Sequence, residues 1–162
     1  MKKKLIVAAS ILMAAFMSTK VHAQNENIVG LAVGNENLST LVAAVKAAGL
    51  VETLSGKGPF TVFAPTNEAF AALPAGTVDN LLKPENKDQL IAVLTYHVVS
   101  GEAYAKDLSN GQKINTVEGG DVKVKINANS VMVNDAKVVA ADVKATNGVV
   151  HVIDHVLLPP SK

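Results

Sequence analysis

The histidines His97, His151 and His155 are the side chains best suited to metal binding or acid–base chemistry after residue 23. His151 and His155 fall in a β-branched run, residues 149–156, which favours a strand over a helix. On a strand they would share a face, but Ile153 would stand between them and hold the imidazoles about 13 Å apart. Zinc–nitrogen bonds of ~2 Å cannot span that separation, so the pattern argues against a shared metal site.

Nucleophilic catalysis has no better support. The sequence lacks the Gly-x-Ser-x-Gly turn that carries a hydrolase serine, and it contains no cysteine to act as a thiol nucleophile. His151 and Asp154 are three residues apart, which on a strand directs them to opposite faces. We therefore predict a non-enzymatic protein with no cofactor and no metal. His151 and Asp154 are interpreted as a structural polar pair that fixes strand register.

The first 23 residues have the layout of a cleavable signal peptide. Three lysines precede an apolar run at residues 5–17, and the small residues Val21 and Ala23 stand before the expected cut. The run is shorter than the roughly 20 residues of a membrane-spanning helix. We expect cleavage after Ala23, a lead-in at 24–26, one domain over 27–160 and no membrane span after cleavage. The protein is predicted to be exported and to be secreted, on the cell surface or periplasmic.

The charge balance excludes one class of partner. The signal segment holds four of the 15 lysines and none of the 14 acidic residues, so the rest of the chain is mildly acidic. Such a chain has no electrostatic footprint for nucleic acid or anionic lipid, and it lacks arginine. Lys123 and Lys125 are interpreted as the solvated face of a strand.

Helical patterns come early in the chain. A buried stripe at Leu38, Leu41, Val42 and Val45 predicts a helix that Asn37 caps and Gly49 ends. After an apolar strand at residues 60–64, Thr66 caps a helix to about residue 73. A helical turn follows at residues 77–82, and Pro84 opens a last helix that directs Leu90, Ile91 and Leu94 inward.

Strand patterns come late. Val122, Val124 and Ile126 alternate with lysines, and a polar turn leads to residues 131–133, which predicts a hairpin. Asn147 and Gly148 form a strong turn signal before the most apolar strand, residues 149–158. The order of elements predicts an α+β fold.

Two segments resemble the conserved boxes of fasciclin domains: residues 58–70, GPFTVFAPTNEAF, and residues 147–154, NGVVHVID, with VLLP after them. Tyr96 and His97 resemble the tyrosine–histidine motif of the family, and Asp142 and Val143 stand where many members have Asp-Ile. The order and spacing of the motifs agree, and the resemblance covers about residues 27–159.

The resemblance implies a compact β-sandwich-like core of antiparallel strands, with helices packed over one side and the two box strands adjacent at its centre. It also implies a secreted binding or cell-adhesion module whose partner is an extracellular protein, matrix or cell-surface component. The residues expected to serve as structural motif positions are Phe63, Pro65, Thr66, Asn147, Gly148, His151 and Asp154.

Four residues are candidate partner contacts by the same resemblance, because the two short motifs are associated with integrin contact in animal fasciclin proteins. They are Tyr96, His97, Asp142 and Val143. We expect Asp142 to be exposed and Tyr96 to be partly exposed, with the loop at residues 103–110 nearby. Two alternatives stay open: Tyr96 and His97 serve only the fold, or the protein carries an apolar, lipid-like molecule between helices and sheet.

Overall fold

The computed structural model describes residues 26–159 of the chain. The predicted signal peptide, the first two residues of the lead-in and residue 160 lie outside the described residues. Within residues 26–159 no helix has the length and apolar character needed to cross a membrane.

Residues 26–159 contain six α-helices: α1 (Ile28–Val33), α2 (Ser39–Ala48), α3 (Val51–Ser55), α4 (Asn67–Ala71), α5 (Thr77–Leu81) and α6 (Lys87–Tyr96). Short 3-10 turns lie at Glu36–Leu38, Pro84–Asn86 and Ala105–Asp107. The same residues form seven strands: β1 (Phe60–Pro65), β2 (Val98–Ser100), β3 (Lys113–Asn115), β4 (Asp121–Asn127), β5 (Ser130–Val133), β6 (Ala136–Ala145) and β7 (Gly148–Ile153). The α+β prediction is confirmed.

The predictions of helix caps from the local sequence were partly correct. Gly49 adopts φ +73° at the end of α2, and the Thr66 hydroxyl accepts from the Ala69 amide at 3.2 Å to start α4, both as predicted. The expected Asn37 cap is wrong. Asn35 instead caps the 3-10 turn before α2, and the Asn67 side chain accepts from the Thr40 amide at 3.0 Å. The cap of α2 therefore comes from the distant start of α4, which no local pattern can reveal.

The strands form one curled sheet in the order β2-β1-β7-β6-β5-β4-β3. The two box strands β1 and β7 are adjacent, as predicted, and both are interior strands, second and third in the order rather than at its middle. They pair in parallel, whereas the prediction was a core of antiparallel strands; the other pairs of strands are antiparallel. A bridge between Val99 and Thr116 links β2 to the chain just after β3, which brings the sheet close to a barrel. The last strand is also shorter than predicted, because it ends at Ile153 and the chain bends at Asp154.

Strand β1 separates two apolar clusters. Val62 and Ala64 face the helices, where they pack with Leu41, Leu90 and Leu94 among others. Phe63 faces the interior of the curled sheet, in the cluster of Tyr96, Val99, Val122, Val133, Ala136, Ile153 and Leu157. Pro65 is fully buried at the end of the strand. A strand covered on both faces reads as a continuous apolar run, which is why this box carries so clear a sequence signal.

The Asn147–Gly148 turn joins the box strands to the helices. The Asn147 amide donates to the carbonyls of Leu54 at 2.6 Å and Gly56 at 3.0 Å, and its oxygen accepts from the Ile28 amide at 3.0 Å. A Cβ atom on Gly148 would overlap the carbonyl group of Phe60. Asn147 therefore ties the end of α3 and the start of α1 to β7, and Gly148 lets the two strands approach.

Candidate functional site

Tyr96 lies inside the molecule. It is 3% exposed at the end of α6, so the expectation of a partly exposed side chain is wrong. Its ring fills the interior of the sheet, and its hydroxyl donates to the Asp121 carbonyl at 2.8 Å and accepts from the Asn134 amide at 3.2 Å. A buried phenol with both hydrogen-bonding capacities satisfied offers no surface to a partner.

His97 is buried as well, at 2% exposed. Its Nδ1–H donates to the Val93 carbonyl at 2.7 Å, and its Nε2 accepts from the Leu157 amide at 2.9 Å. Burial lowers the pKa of His97 to about 4, against the raising effect of the hydrogen bond to Val93. The ring is therefore neutral near pH 7, and it joins the C-terminal segment to α6. The structural alternative for Tyr96 and His97 fits the geometry, whereas the contact alternative does not.

Asp142 lies on the surface at an irregularity in β6. The register of β6 against β7 shifts between Ala140 and Val143, and Asp142 within this bulge has φ +56°. Its side chain is exposed, as predicted, and its Oδ1 accepts from the Ala105 amide at 2.8 Å. Val143 is half-buried and packs against the helix-side cluster. A bulge that turns a non-glycine residue into the left-handed region re-aims its side chain, and such strain concentrates at functional sites.

His151, a buried residue of β7, forms a hydrogen bond to the backbone of this bulge. It is 1% exposed and stacks on Phe63 with the ring centroids 5.6 Å apart. Its Nδ1 accepts from the Asp142 amide at 3.2 Å, so its Nε2–H donates to the Ala103 carbonyl at 2.5 Å. These two partners require the neutral tautomer with the proton on Nε2. One buried ring thus holds both the bulge and the segment beside it.

The interpretation of His151 and Asp154 as a pair is wrong. Asp154 follows the end of β7, where the chain bends outward, so its carboxylate accepts from the Lys137 amide at 2.8 Å and contacts His155 Nδ1 at 2.6 Å. Its limited burial would raise the pKa of Asp154, but the hydrogen bonds from His155 and Lys137 lower it below its ordinary value. Asp154 joins β6 to the end of β7 and does not contact His151.

Replacement of His151 by glutamine is expected to lower the free energy of unfolding by about 1–3 kcal/mol, because a buried donor or acceptor loses its partner. Urea unfolding of a protein that comprises residues 24–162 measures the change. His155→Gln is the matched control, since His155 is exposed and its replacement should stay within about 0.5 kcal/mol of wild type. Equal stabilities for wild type and His151→Gln would contradict the supporting role.

Tyr104 is the aromatic side chain that accompanies Asp142. The Nζ atoms of Lys106 and Lys144 lie 5.7 Å and 5.8 Å from the centre of its ring, and its hydroxyl donates to Glu102 at 3.1 Å. Partial burial, that hydrogen bond and the neighbouring carboxylates raise the pKa of Tyr104. We name the surface formed by Glu102, Tyr104, Lys106, Asp142 and Lys144 the Asp142 ridge.

The sequence drew attention to the loop at residues 103–110 but not to Tyr104 within it. The sequence feature that could have identified Tyr104 is a lone aromatic residue between two charged ones, Glu102 and Lys106. Its link to Lys144 depends on the fold, because the two residues are far apart in the chain.

An apolar cavity lies between the helices and the sheet, where the carrier alternative places a ligand. Its volume is about 30 Å³, and residues of α1, α2, α3, β1 and α6 line it. Small-molecule sites commonly measure about 300–1,000 Å³, so this space is too small for a lipid-like molecule. Across the described chain, no three His, Asp or Glu side chains come close enough together to hold a metal ion.

Comparison with known proteins identifies related chains. A model of the fasciclin domain matches residues 36–159. The Synechocystis protein sll1483 is 60% identical over 133 residues, which are 82% of this chain and 73% of that protein. The cell surface glycolipoprotein MPB83 of Mycobacterium bovis is 41% identical over 136 residues, 81% of this chain and 60% of that protein.

A solved structure shares the fold. The FAS1 domain pair from the insect cell adhesion molecule fasciclin I superposes with a TM-score of 0.72 at 22% identity. The match covers 83% of this chain and 51% of the pair, so this chain spans about half the length of that structure. At this identity the likeness concerns the fold alone.

Proposed function

This chain belongs to the fasciclin domain family, and from that premise we propose that it is an exported, non-enzymatic adhesion module that binds a protein or matrix component through the Asp142 ridge. The name of one related protein supports the role, since it is a cell surface glycolipoprotein. The basic, apolar and small-residue layout of residues 1–23 supports export.

The observation that carries the proposal is the way the ridge is held. Asp142 is exposed at φ +56°, and buried His151 fixes both its amide and the carbonyl of Ala103. Contact residues usually lie on loops that a rigid scaffold positions, and a preformed surface loses little conformational entropy on binding. His151 gives the ridge such rigid support at the backbone of Asp142 and Ala103.

The side chains of the ridge indicate how it would recognise a partner. Asp142 and Glu102 provide carboxylates, Lys106 and Lys144 provide ammonium groups, and Tyr104 lies among them. Tyrosine is enriched among the residues that dominate binding energy, and charged groups at the edge of a contact set its orientation. This combination suits a mixed-charge protein or glycoprotein surface.

Asp142→Asn is expected to weaken binding at least tenfold, about 1.4 kcal/mol. Asparagine tolerates the left-handed backbone and retains an oxygen for the Ala105 amide, so the variant removes the charge and leaves the fold. The measurement is the apparent Kd of labelled protein for cells of its source organism. The gene for this protein is deleted in those cells so that no unlabelled copy competes. Asp79→Asn, at an exposed position of α5, is the control that should bind as wild type.

Tyr104→Ala completes the experiment, because it removes the aromatic centre of the ridge while leaving Asp142 in place. We expect it to reduce affinity by a similar factor, with an unfolding midpoint close to that of wild type. Wild-type affinity for both Asp142→Asn and Tyr104→Ala would overturn the ridge as the contact surface.

A further inference from the structure

A second feature of the surface is a cluster of lysines on the outer face of the curled sheet. Lys113 on β3 pairs directly with Lys123 on β4, and Lys125 and Lys137 flank Met132 of β5 from its two neighbouring strands. All four lysines are exposed, whereas the residues that alternate with Lys123 and Lys125 are buried or half-buried. We name the surface formed by Lys113, Lys123, Lys125 and Lys137 the basic face.

Carboxylates do not neutralise this face. Along the described strands β3, β4 and β5, Asp121 is the only outward-facing acidic residue. Within residues 26–159, no ammonium group of the face lies within 4.0 Å of an Asp or Glu carboxylate oxygen, although the backbone amide of Lys137 donates to Asp154. The acidic net charge of the mature chain therefore conceals a local excess of positive charge.

The arrangement costs stability. Like charges directly opposite on neighbouring strands repel, and Lys113 and Lys123 are such a pair. Lysine on an edge strand discourages sheet-to-sheet aggregation, which accounts for Lys113 on β3. That explanation fails for Lys125 and Lys137, because their strands are interior in the sheet. Lys125 and Lys137 protect no edge, and they lie beside the repelling pair Lys113 and Lys123, so a polyanionic ligand would relieve the repulsion.

We propose that the basic face binds an acidic polysaccharide, a linear carbohydrate with repeated carboxylate or sulfate groups. Charge complementarity supplies the attraction. By strand geometry, Lys123 and Lys125 are about 7 Å apart along β4, and Lys125 and Lys137 lie two strands, about 10 Å, apart across the sheet. A flexible polymer with regularly spaced anions can meet several of these ammonium groups at once.

An open groove of about 530 Å³ borders the basic face. Lys123, Lys125 and His155 line one part of it, and the apolar side chains of Val156 and Leu158 line another. Asp135 is the carboxylate in its lining. The groove gives the polymer a recess beside the lysines, with apolar side chains against which the carbon faces of sugar rings can pack.

Two other polyanions fit the face less well. Nucleic-acid binding on single strands relies on aromatic stacking, but residues 105–162 contain no Phe, Tyr or Trp, and Tyr96, which lines the groove, is only 3% exposed. A bilayer is flat, whereas the face is the outside of a sheet curled almost into a barrel, which limits the lysines that can reach it together. A flexible polymer can follow the convex surface.

The test compares two variants of equal net charge. Lys123→Gln/Lys125→Gln/Lys137→Gln removes three charges from the basic face, and Lys57→Gln/Lys83→Gln/Lys87→Gln removes three exposed charges elsewhere. Binding of the mature protein to heparin and to polygalacturonate is measured as a function of salt. We expect wild type and the control to bind, with affinity that falls as salt rises, and the basic-face variant to bind at least about tenfold more weakly.

Three results would overturn the proposal: equal weakening in both triple variants, no binding of wild type to either polysaccharide at low salt, or face-dependent binding only to phosphatidylglycerol vesicles. Tighter binding to heparin than to polygalacturonate would indicate that the face recognises sulfate groups. Equal or tighter binding to polygalacturonate would indicate that it recognises carboxylates. This inference goes beyond the adhesion role of the ridge, and Asp142→Asn should leave polysaccharide binding unchanged. The two proposals can therefore fail separately.

Discussion

Phe63→Ala is expected to lower the free energy of unfolding by about 3–5 kcal/mol, as for other truncations of a fully buried phenylalanine. Phe63 is 0% exposed in the interior strand β1, where its ring stacks on His151 and packs inside the curled sheet. The change leaves a cavity that the surrounding strands cannot close, because hydrogen bonds to β2 and β7 on both sides fix β1.

Urea unfolding of the variant over residues 24–162, with the dependence of unfolding free energy on urea checked against wild type, measures this loss. Val139→Ala is the matched truncation, since Val139 is 55% exposed and its replacement should change stability by less than about 0.5 kcal/mol. A loss below about 1 kcal/mol for Phe63→Ala would show that β1 is peripheral to the cooperative core.

Strand β1 was predictable because its signal is local. Val62, Phe63 and Ala64 form an unbroken apolar run between a Gly-Pro turn and a Pro-Thr stop, and each of these features acts within a few residues. The same applies to Gly49 at the end of α2 and to Thr66 at the start of α4. Helix α1 was missed, because it has only six residues and Gly30 lies within it.

The candidate site was only half predictable. Exposure of Asp142 follows from charge alone, since an unpaired buried carboxylate is costly. The bulge that places it depends on His151, and the sequence does not show which backbone groups that ring contacts. Tyr96 lies three residues after buried Val93 on α6, so helical periodicity places both side chains on the buried face. The resemblance to a contact motif suggested instead that Tyr96 lies at the surface.

The basic face could be predicted from the sequence only in part. Lys123 and Lys125 alternate with buried valines, and their outward direction was predictable. Their neighbours Lys113 and Lys137 come from other strands, and only the pairing register brings them together. A one-residue slip in register would have sent these side chains to the opposite face, so no count of charges along the chain predicts the cluster.

Acidification is expected to destabilise the protein through His97. The pKa of His97 is lowered from 6.5 to about 4 in the fold, mainly by burial, so the folded state takes up its proton at lower pH than the unfolded chain. Above pH 6.5 the ring is mostly neutral in both the folded and the unfolded state, so His97 contributes little to the pH dependence of stability there. Between these two pKa values the unfolded chain binds the proton first, and stability falls as pH falls, by about 3 kcal/mol in all.

His97→Asn tests this assignment, because an asparagine amide can still donate to the Val93 carbonyl but does not titrate. The variant should be less stable than wild type at pH 7, since the Leu157 amide loses its acceptor. From pH 7 to pH 4.5 its stability should decline by about 2–3 kcal/mol less than that of wild type, measured by urea unfolding at each pH. Subtracting the two profiles removes the contribution of the carboxylates, which both proteins share. Parallel profiles for wild type and His97→Asn would show that His97 is not the residue that couples stability to acid.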